Sequence, residues 1–221
     1  MTPANGPRPP GRLRVVFVCT GNRFRSPLAA AYLRRLLAGT GFEISSCGTA
    51  GATQARRGVL PEAQEVAATS AIDLSSHRTR WIGEADLHEA DLVLGFERSH
   101  VAAAVLEAGA PRSKAFLVTE LVHLLARDGM SQADDPATYV RELVAAADEA
   151  RAGVGPPNTE VSDPYGRSRK TYERTALEVW RLVIELVALL FRTPPIPPSA
   201  LPRPRLPRRF PRPWARRRHR A

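Results

Sequence analysis

Cysteine is nearly absent from this chain: Cys19 and Cys47 are the only two among 221 residues. Two thiols do not make a disulfide framework, and a reactive thiol suits the reducing cytoplasm, the expected setting. Long apolar runs are missing as well. The best candidate, Ala176 to Phe191, is interrupted by Glu178, Arg181 and Glu185, short of the roughly 18 uncharged residues that a membrane span takes. The Pro- and Gly-rich start, residues 1–12, lacks the apolar centre of a signal peptide and is expected to be disordered. His77, His88, His100 and His123 share no ligand spacing with one another or with a cysteine. Neither a metal nor another cofactor is therefore expected.

Acidic residues are missing from one whole stretch. Thr193 to Ala221 holds nine arginines, nine prolines and no Asp or Glu, so nine of the formal net charge of +10 reside there and only +1 elsewhere. Such a segment has too little apolar surface to fold, and residues 193–221 read as a disordered basic tail. Two readings of it stay open: a contact with acidic lipid, nucleic acid or an acidic partner, or a solvated tail with no partner.

What is present concentrates in Val18-Cys19-Thr20-Gly21-Asn22-Arg23-Phe24-Arg25-Ser26-Pro27, directly after the apolar run Val15 to Val18. A strand that ends in a tight loop feeding a helix turns several backbone N–H groups inward, where the helix dipole favours negative charge. That field also favours the thiolate of a cysteine inside the loop. Arg25 adds a planar cation suited to two phosphate oxygens. Gly21 offers an unusual backbone angle at low steric cost, and Asn22 is one of the few other residues that tolerate a left-handed one. Ser26 is expected to cap the next helix and to donate a hydrogen bond to Cys19, with Pro27 in the first turn. The combination fits a cradle for a tetrahedral dianion with a nucleophile inside it.

Short apolar runs alternate with helical stretches, the pattern of a parallel sheet covered on both faces. Strands are predicted near Leu13–Val18, Phe42–Ser46, Asp91–Gly95 and Ala115–Val118. Helices are predicted near Pro27–Ala38, Pro61–Ala71, Arg98–Ala108, Thr119–Ala126, Pro136–Ala152 and Lys170–Phe191. The fold class is α/β: a flavodoxin-like three-layer α/β/α arrangement on a four-stranded parallel sheet, whose ligand site lies at the carboxyl ends of the strands.

These residues resemble the low-molecular-weight protein tyrosine phosphatases, whose signature is a Cys, five residues and Arg-Ser at the end of the first strand. That family relies on a distant Asp-Pro-aromatic motif, matched here by Asp163-Pro164-Tyr165-Gly166 before the final helix. Two further family-like pieces are Ser46-Cys47-Gly48-Thr49 and Ser76-His77-Arg78-Thr79-Arg80. The likeness runs from about Leu13 to about Phe191, a phosphatase domain over 13–192 with a helical insert at about 127–160. Within the insert, Asp135-Pro136 is expected to open a helix rather than to serve catalysis. A lid, a partner surface and a passive excursion are all open for the insert, the last preferred.

The resemblance implies a metal-independent enzyme, expected to be monomeric, that hydrolyses phosphotyrosine in a protein substrate through a cysteinyl-phosphate. Cys19 would be the nucleophile, Arg25 the transition-state cation and Asp163 the proton donor. Thr20, Gly21, Asn22, Arg23, Phe24 and Ser26 would hold the phosphate. Ser46 and His77 would support the loop through Asn22, and Tyr165 would wall the mouth. Phe24 stands where many members carry a second cysteine, so a protective disulfide with the nucleophile is not expected; Cys47 reads as a buried inert thiol. With two cysteines, the disulfide relay of arsenate reductases of related fold is not expected either. Arg23 stands where tyrosine-specific members are usually aliphatic and arginine phosphatases carry threonine. A cation there would repel a phosphoarginine guanidinium and favour acidic flanking sequence. Protein arginine phosphatase, and a weakly active phosphate-binding or scaffolding protein acting through insert and tail, are the alternatives.

Overall fold

A computed structural model describes residues 12–54, 56–128, 133–153, 160–191 and 196–205. Four strands, β1 (Arg14–Cys19), β2 (Glu43–Gly48), β3 (Leu92–Gly95) and β4 (Ala115–Leu117), pair in parallel in the order β2-β1-β3-β4. This is the flavodoxin-like order. The described helices are α1 (Arg25–Leu36), α2 (Pro61–Thr69), α3 (Arg98–Leu106), α4 (Val118–Asp128), α5 (Pro136–Ala150) and α6 (Arg169–Leu190). None is long and apolar enough to cross a membrane.

The sequence of β1 explains its central position. Alternate residues on a strand face opposite sides, and here both sides are apolar. Val15, Phe17 and Cys19 join the larger core, with residues of α1, α2, α4, α5 and α6. Val16 and Val18 join the smaller one, with Ala103 and Ala104 of α3 and with Cys47. The chain leaves β1 to one side for β2 and later returns to the other side for β3. Cys19, at the carboxyl end of β1, thus stands at the crevice where ligands bind in such sheets.

The insert differs from the passive excursion preferred from sequence. Asp135 caps α5, its Oδ2 accepting from Thr138 N at 2.8 Å, so Asp135-Pro136 opens a helix as expected. Yet α5 buries Ala137, Tyr139, Val140, Leu143, Val144 and Ala147 in the main core. Arg141 Nε donates to the buried Asp91 at 2.9 Å, and Asp91 also accepts from Arg14 N at 2.8 Å. The Arg151 guanidinium lies 3.8 Å over the Phe116 ring. An amphipathic helix that long packs its apolar face against α4, α6 and the Arg112–Lys114 turn that leads into β4, and becomes part of the fold.

A second difference concerns the Pro/Arg-rich tail. Residues 196–205, inside the stretch expected to be disordered, are docked. Leu201 is buried in the main core. Ile196 N donates to Leu36 O at 3.2 Å, Ser70 Oγ to Pro202 O at 3.0 Å, and Arg205 N to Thr69 Oγ1 at 3.1 Å. A composition averaged over the whole tail conceals its few apolar residues. Prolines also pre-extend the strap, so less chain entropy is lost on docking. Residues 193–195 and 206–221 lie outside the described residues, as do 1–11 of the start expected to be disordered.

Candidate active site

Helix α1 begins at Arg25, two residues earlier than predicted. Ser26 is therefore inside the first turn and does not cap it; the cap position is Phe24, with no side-chain bond. Released from capping, Ser26 Oγ sits 3.0 Å from Cys19 Sγ, accepts from Asn22 Nδ2 at 2.9 Å and faces Cys47 O at 3.3 Å. Its single proton has two acceptors to choose between. With Cys19 ionised, the thiolate is the stronger one and draws the hydroxyl hydrogen.

Asn22, not Gly21, is the left-handed residue of the loop, with φ 49°. A Cβ on Gly21 would meet only the Arg23 side chain, at 3.8 Å, so neither backbone angle nor crowding demands glycine there. The close approach is instead at Gly48, where a Cβ would fall 2.7 Å from Thr20 O and 2.9 Å from Asn22 N. Asn22 is held on every side. Its Nδ2 also donates to Ser46 Oγ at 2.9 Å, its Oδ1 accepts from Arg80 N at 3.0 Å, and its carbonyl accepts from His77 Nε2 at 2.9 Å. The two supporting residues expected from sequence, Ser46 and His77, thus both reach Asn22. Burial lowers the His77 pKa, partly offset by its bond to Asn22 O.

Among the described residues, none of the backbone N–H groups of Gly21, Asn22, Arg23 and Phe24 is hydrogen-bonded to a protein acceptor. Unpaired amides beside a helix N-terminus form a ready anion site. Phe24 packs edge-on against Tyr172 of α6 at 5.1 Å, which ties the loop to the final helix.

Arg25 is 1% exposed and meets three chain segments. Its Nη1 contacts Glu97 Oε1 and donates to Val161 O at 2.8 Å; its Nη2 donates to Asp163 Oδ2 at 2.7 Å and to Thr20 Oγ1 at 3.2 Å. Val161 N donates to Phe96 O at 2.9 Å and Arg98 N to Glu160 Oε1 at 2.8 Å, so the strand-end at 96–98 holds the segment carrying Asp163. Asp163 Oδ1 accepts from Tyr165 N at 3.0 Å, which turns the largely exposed Tyr165 ring to the mouth. Cys19, Thr20, Gly21, Arg23, Phe24, Arg25, Asp163 and Tyr165 all line one cleft of about 290 Å³, together with Ala50, Arg57 and Leu60.

Glu97 and His100 were not legible as site residues. His100 Nδ1 accepts from Glu97 N at 3.0 Å, so its proton is on Nε2, which faces Thr20 Oγ1 at 3.0 Å. Thr20 Oγ1 therefore accepts from both His100 and Arg25, leaving its own proton for another acceptor. Burial pushes the His100 pKa down to about 4, with Arg25 adding to the shift and Asp163 and Glu160 opposing it. A Glu-x-x-His spacing at a strand-to-helix junction was the available signal.

Cys47 is fully buried on the opposite sheet face from Cys19, and burial pushes its pKa up to about 12. Both thiols are free. No cluster of metal-ligating side chains occurs among the described residues.

The chain is similar to known proteins. A protein named probable low molecular weight protein-tyrosine-phosphatase EpsP, from Ralstonia solanacearum, is 36% identical over 80 residues, 36% of this chain and 52% of that protein. Arsenate reductase 2 of Staphylococcus epidermidis is 34% identical over 80 residues, 36% of this chain and 56% of its own. This chain thus spans about half the length of these curated relatives. The crystal structure of a low molecular weight protein tyrosine phosphatase from T. tengcongensis superposes with a TM-score of 0.58 at 29% identity, covering 80% of this chain and 98% of that one. The family model for low molecular weight phosphotyrosine protein phosphatases matches residues 14–146. The chain belongs to the low molecular weight phosphotyrosine protein phosphatase family.

Proposed function

We propose that this chain is a cytoplasmic phosphatase that hydrolyses phosphotyrosine in proteins by two-step phosphoryl transfer. The observation that carries the reading is the convergence of Cys19, Arg25 and Asp163 on one cleft beside unpaired loop amides. In the first step the Cys19 thiolate attacks phosphorus in line, and the S–P bond forms as the bond to the tyrosyl oxygen breaks. Arg25, the loop amides and the Thr20 hydroxyl take the equatorial oxygens, which supplies the charge compensation from the protein itself. The arriving dianion displaces the Asp163 carboxylate from Arg25; the freed carboxylate takes up a proton from solvent and gives it to the departing phenolate. In the second step Asp163 takes a proton from water as that water attacks phosphorus, releasing phosphate and the Cys19 thiolate.

Two neighbouring activities fit less well. An arsenate reductase relay needs a thiol able to reach the nucleophile, and Cys47 belongs to the other face of the sheet. A phosphoarginine guanidinium would meet Arg23 and Arg57 at the mouth.

The test is turnover of an aryl phosphate in the presence of a chelator, its inhibition by vanadate, and a rate comparison of phosphotyrosine and phosphoarginine peptides. The expected result is chelator-insensitive, vanadate-inhibited activity with phosphotyrosine preferred. Faster hydrolysis of phosphoarginine would overturn the substrate assignment.

A further inference from the structure

The mouth of the cleft carries two basic side chains that the chemistry at Cys19 does not use. Arg23 and Arg57 both line it, and the only acid among the lining residues, Asp163, is already paired with Arg25. The pair is built into the site rather than scattered on a surface. Arg23 O accepts from Leu60 N at 2.9 Å, and Arg23 Nε donates to Gly58 O at 3.0 Å. That second bond uses the inner nitrogen of the guanidinium and leaves both terminal ones for a ligand.

The backbone of Arg57, whose side chain is exposed, is held from the other direction. Its N–H donates to Thr79 Oγ1 at 2.8 Å and its carbonyl accepts from Thr79 N at 2.7 Å, while Arg56 N donates to Thr79 O at 2.8 Å. Thr79 adjoins Arg80, whose N–H is bonded to Asn22 of the anion loop. Arg23 thus belongs to the loop that would hold the phosphate, and the backbone of Arg57 is linked to that loop through Thr79 and Arg80. A long buried cation such as Arg25 serves the transferred group, whereas two cations at the rim face whatever lies beside it. Positive charge there stabilises an anionic neighbour and disfavours a cationic one.

We propose that Arg23 and Arg57 form an anion subsite that takes a carboxylate or a second phosphate on the residue next to the phosphotyrosine, making acidic phosphopeptides the substrate class. This rests on the phosphatase reading above. Exposed ion pairs each contribute modestly, so selectivity of roughly three- to tenfold is expected, and salt should weaken it.

The experiment compares kcat/KM for phosphotyrosine peptides of one length whose adjacent residue is Glu, Gln, Lys or a second phosphotyrosine. Binding of the same peptides to the Cys19→Ser chain is measured in parallel by fluorescence anisotropy. The expected order is second phosphotyrosine and Glu above Gln above Lys, compressed in high salt, flattened by Arg57→Gln and restored by Arg57→Lys. Preference for Glu equal to that for the second phosphate assigns the subsite to a carboxylate; preference for the second phosphate alone assigns it to phosphate. Equal values for Glu and Lys peptides, or a preference untouched by Arg57→Gln, overturn the subsite. If the wild-type chain turns over none of the peptides, the phosphatase reading fails, and the affinity order still decides whether the rim recognises acidic neighbours.

Discussion

Arg25 Nη2 and Asp163 Oδ2 meet at 2.7 Å although 138 positions separate them in the chain. The contact occupies a donor that a phosphoryl oxygen would take, so substrate binding must exchange one anion for another at Arg25. Glu97 and Val161 O stay on the other terminal nitrogen and keep the guanidinium in place during the exchange. This arrangement couples substrate arrival to the release of the proposed acid.

Replacing Asp163 by Asn keeps the shape and removes the proton. Turnover of substrates with poor leaving groups should fall by about 10²–10⁴-fold, as for the loss of a general acid, with a much smaller effect on activated aryl phosphates. A plot of rate against leaving-group pKa checks this. Equal losses across the series would contradict the acid role.

His100 gives the fold a pH dependence of defined sign. Its folded pKa of about 4 lies below the ordinary 6.5, so between these values the unfolded chain binds more protons than the folded one. Stability from this group is fully present above pH 6.5 and is lost as the pH falls toward 4. The contribution is at most roughly 3 kcal/mol. Urea midpoints measured across that window should fall more steeply for the wild type than for His100→Asn. Identical slopes would count against it.

The docked strap at 196–205 should contribute to stability. Leu201→Ala removes a side chain 2% exposed in the main core, which should cost about 2–3 kcal/mol. A chain ending at Phe191 should lose at least as much. Thermal unfolding reads both, since each kcal/mol shifts Tm by about 2–4 °C at this size. Unchanged melting of both variants would show that the strap is not held.

The parts of the site that were legible in the sequence are those whose signal is local. Cys19, Asn22 and Arg25 sit within one short loop after an apolar strand, and Asp163 announces itself by Pro164 and Tyr165. The sheet followed from alternating apolar runs. Contacts made by folding were not legible. Glu97 and His100 reach Arg25 and Thr20 across the sheet, and Thr79 holds the backbone of Arg57 beside the loop. Ser26 met one of its two expectations: its hydroxyl does face Cys19, but it does not cap the helix, because the helix starts earlier and places Ser26 inside the first turn. The strap was hidden by the arginines and prolines around Leu201, and the role of α5 depended on where its apolar face lands.

The central claim is the cysteinyl-phosphate, and the most direct measurement is acid quenching during turnover followed by mass analysis of the peptide containing Cys19. A single added phosphoryl group is expected on Cys19, more abundant in Asp163→Ala, where its hydrolysis is slowed, with no turnover in Cys19→Ser. Full activity in Cys19→Ser, or a phosphoryl group found on another residue, would contradict it.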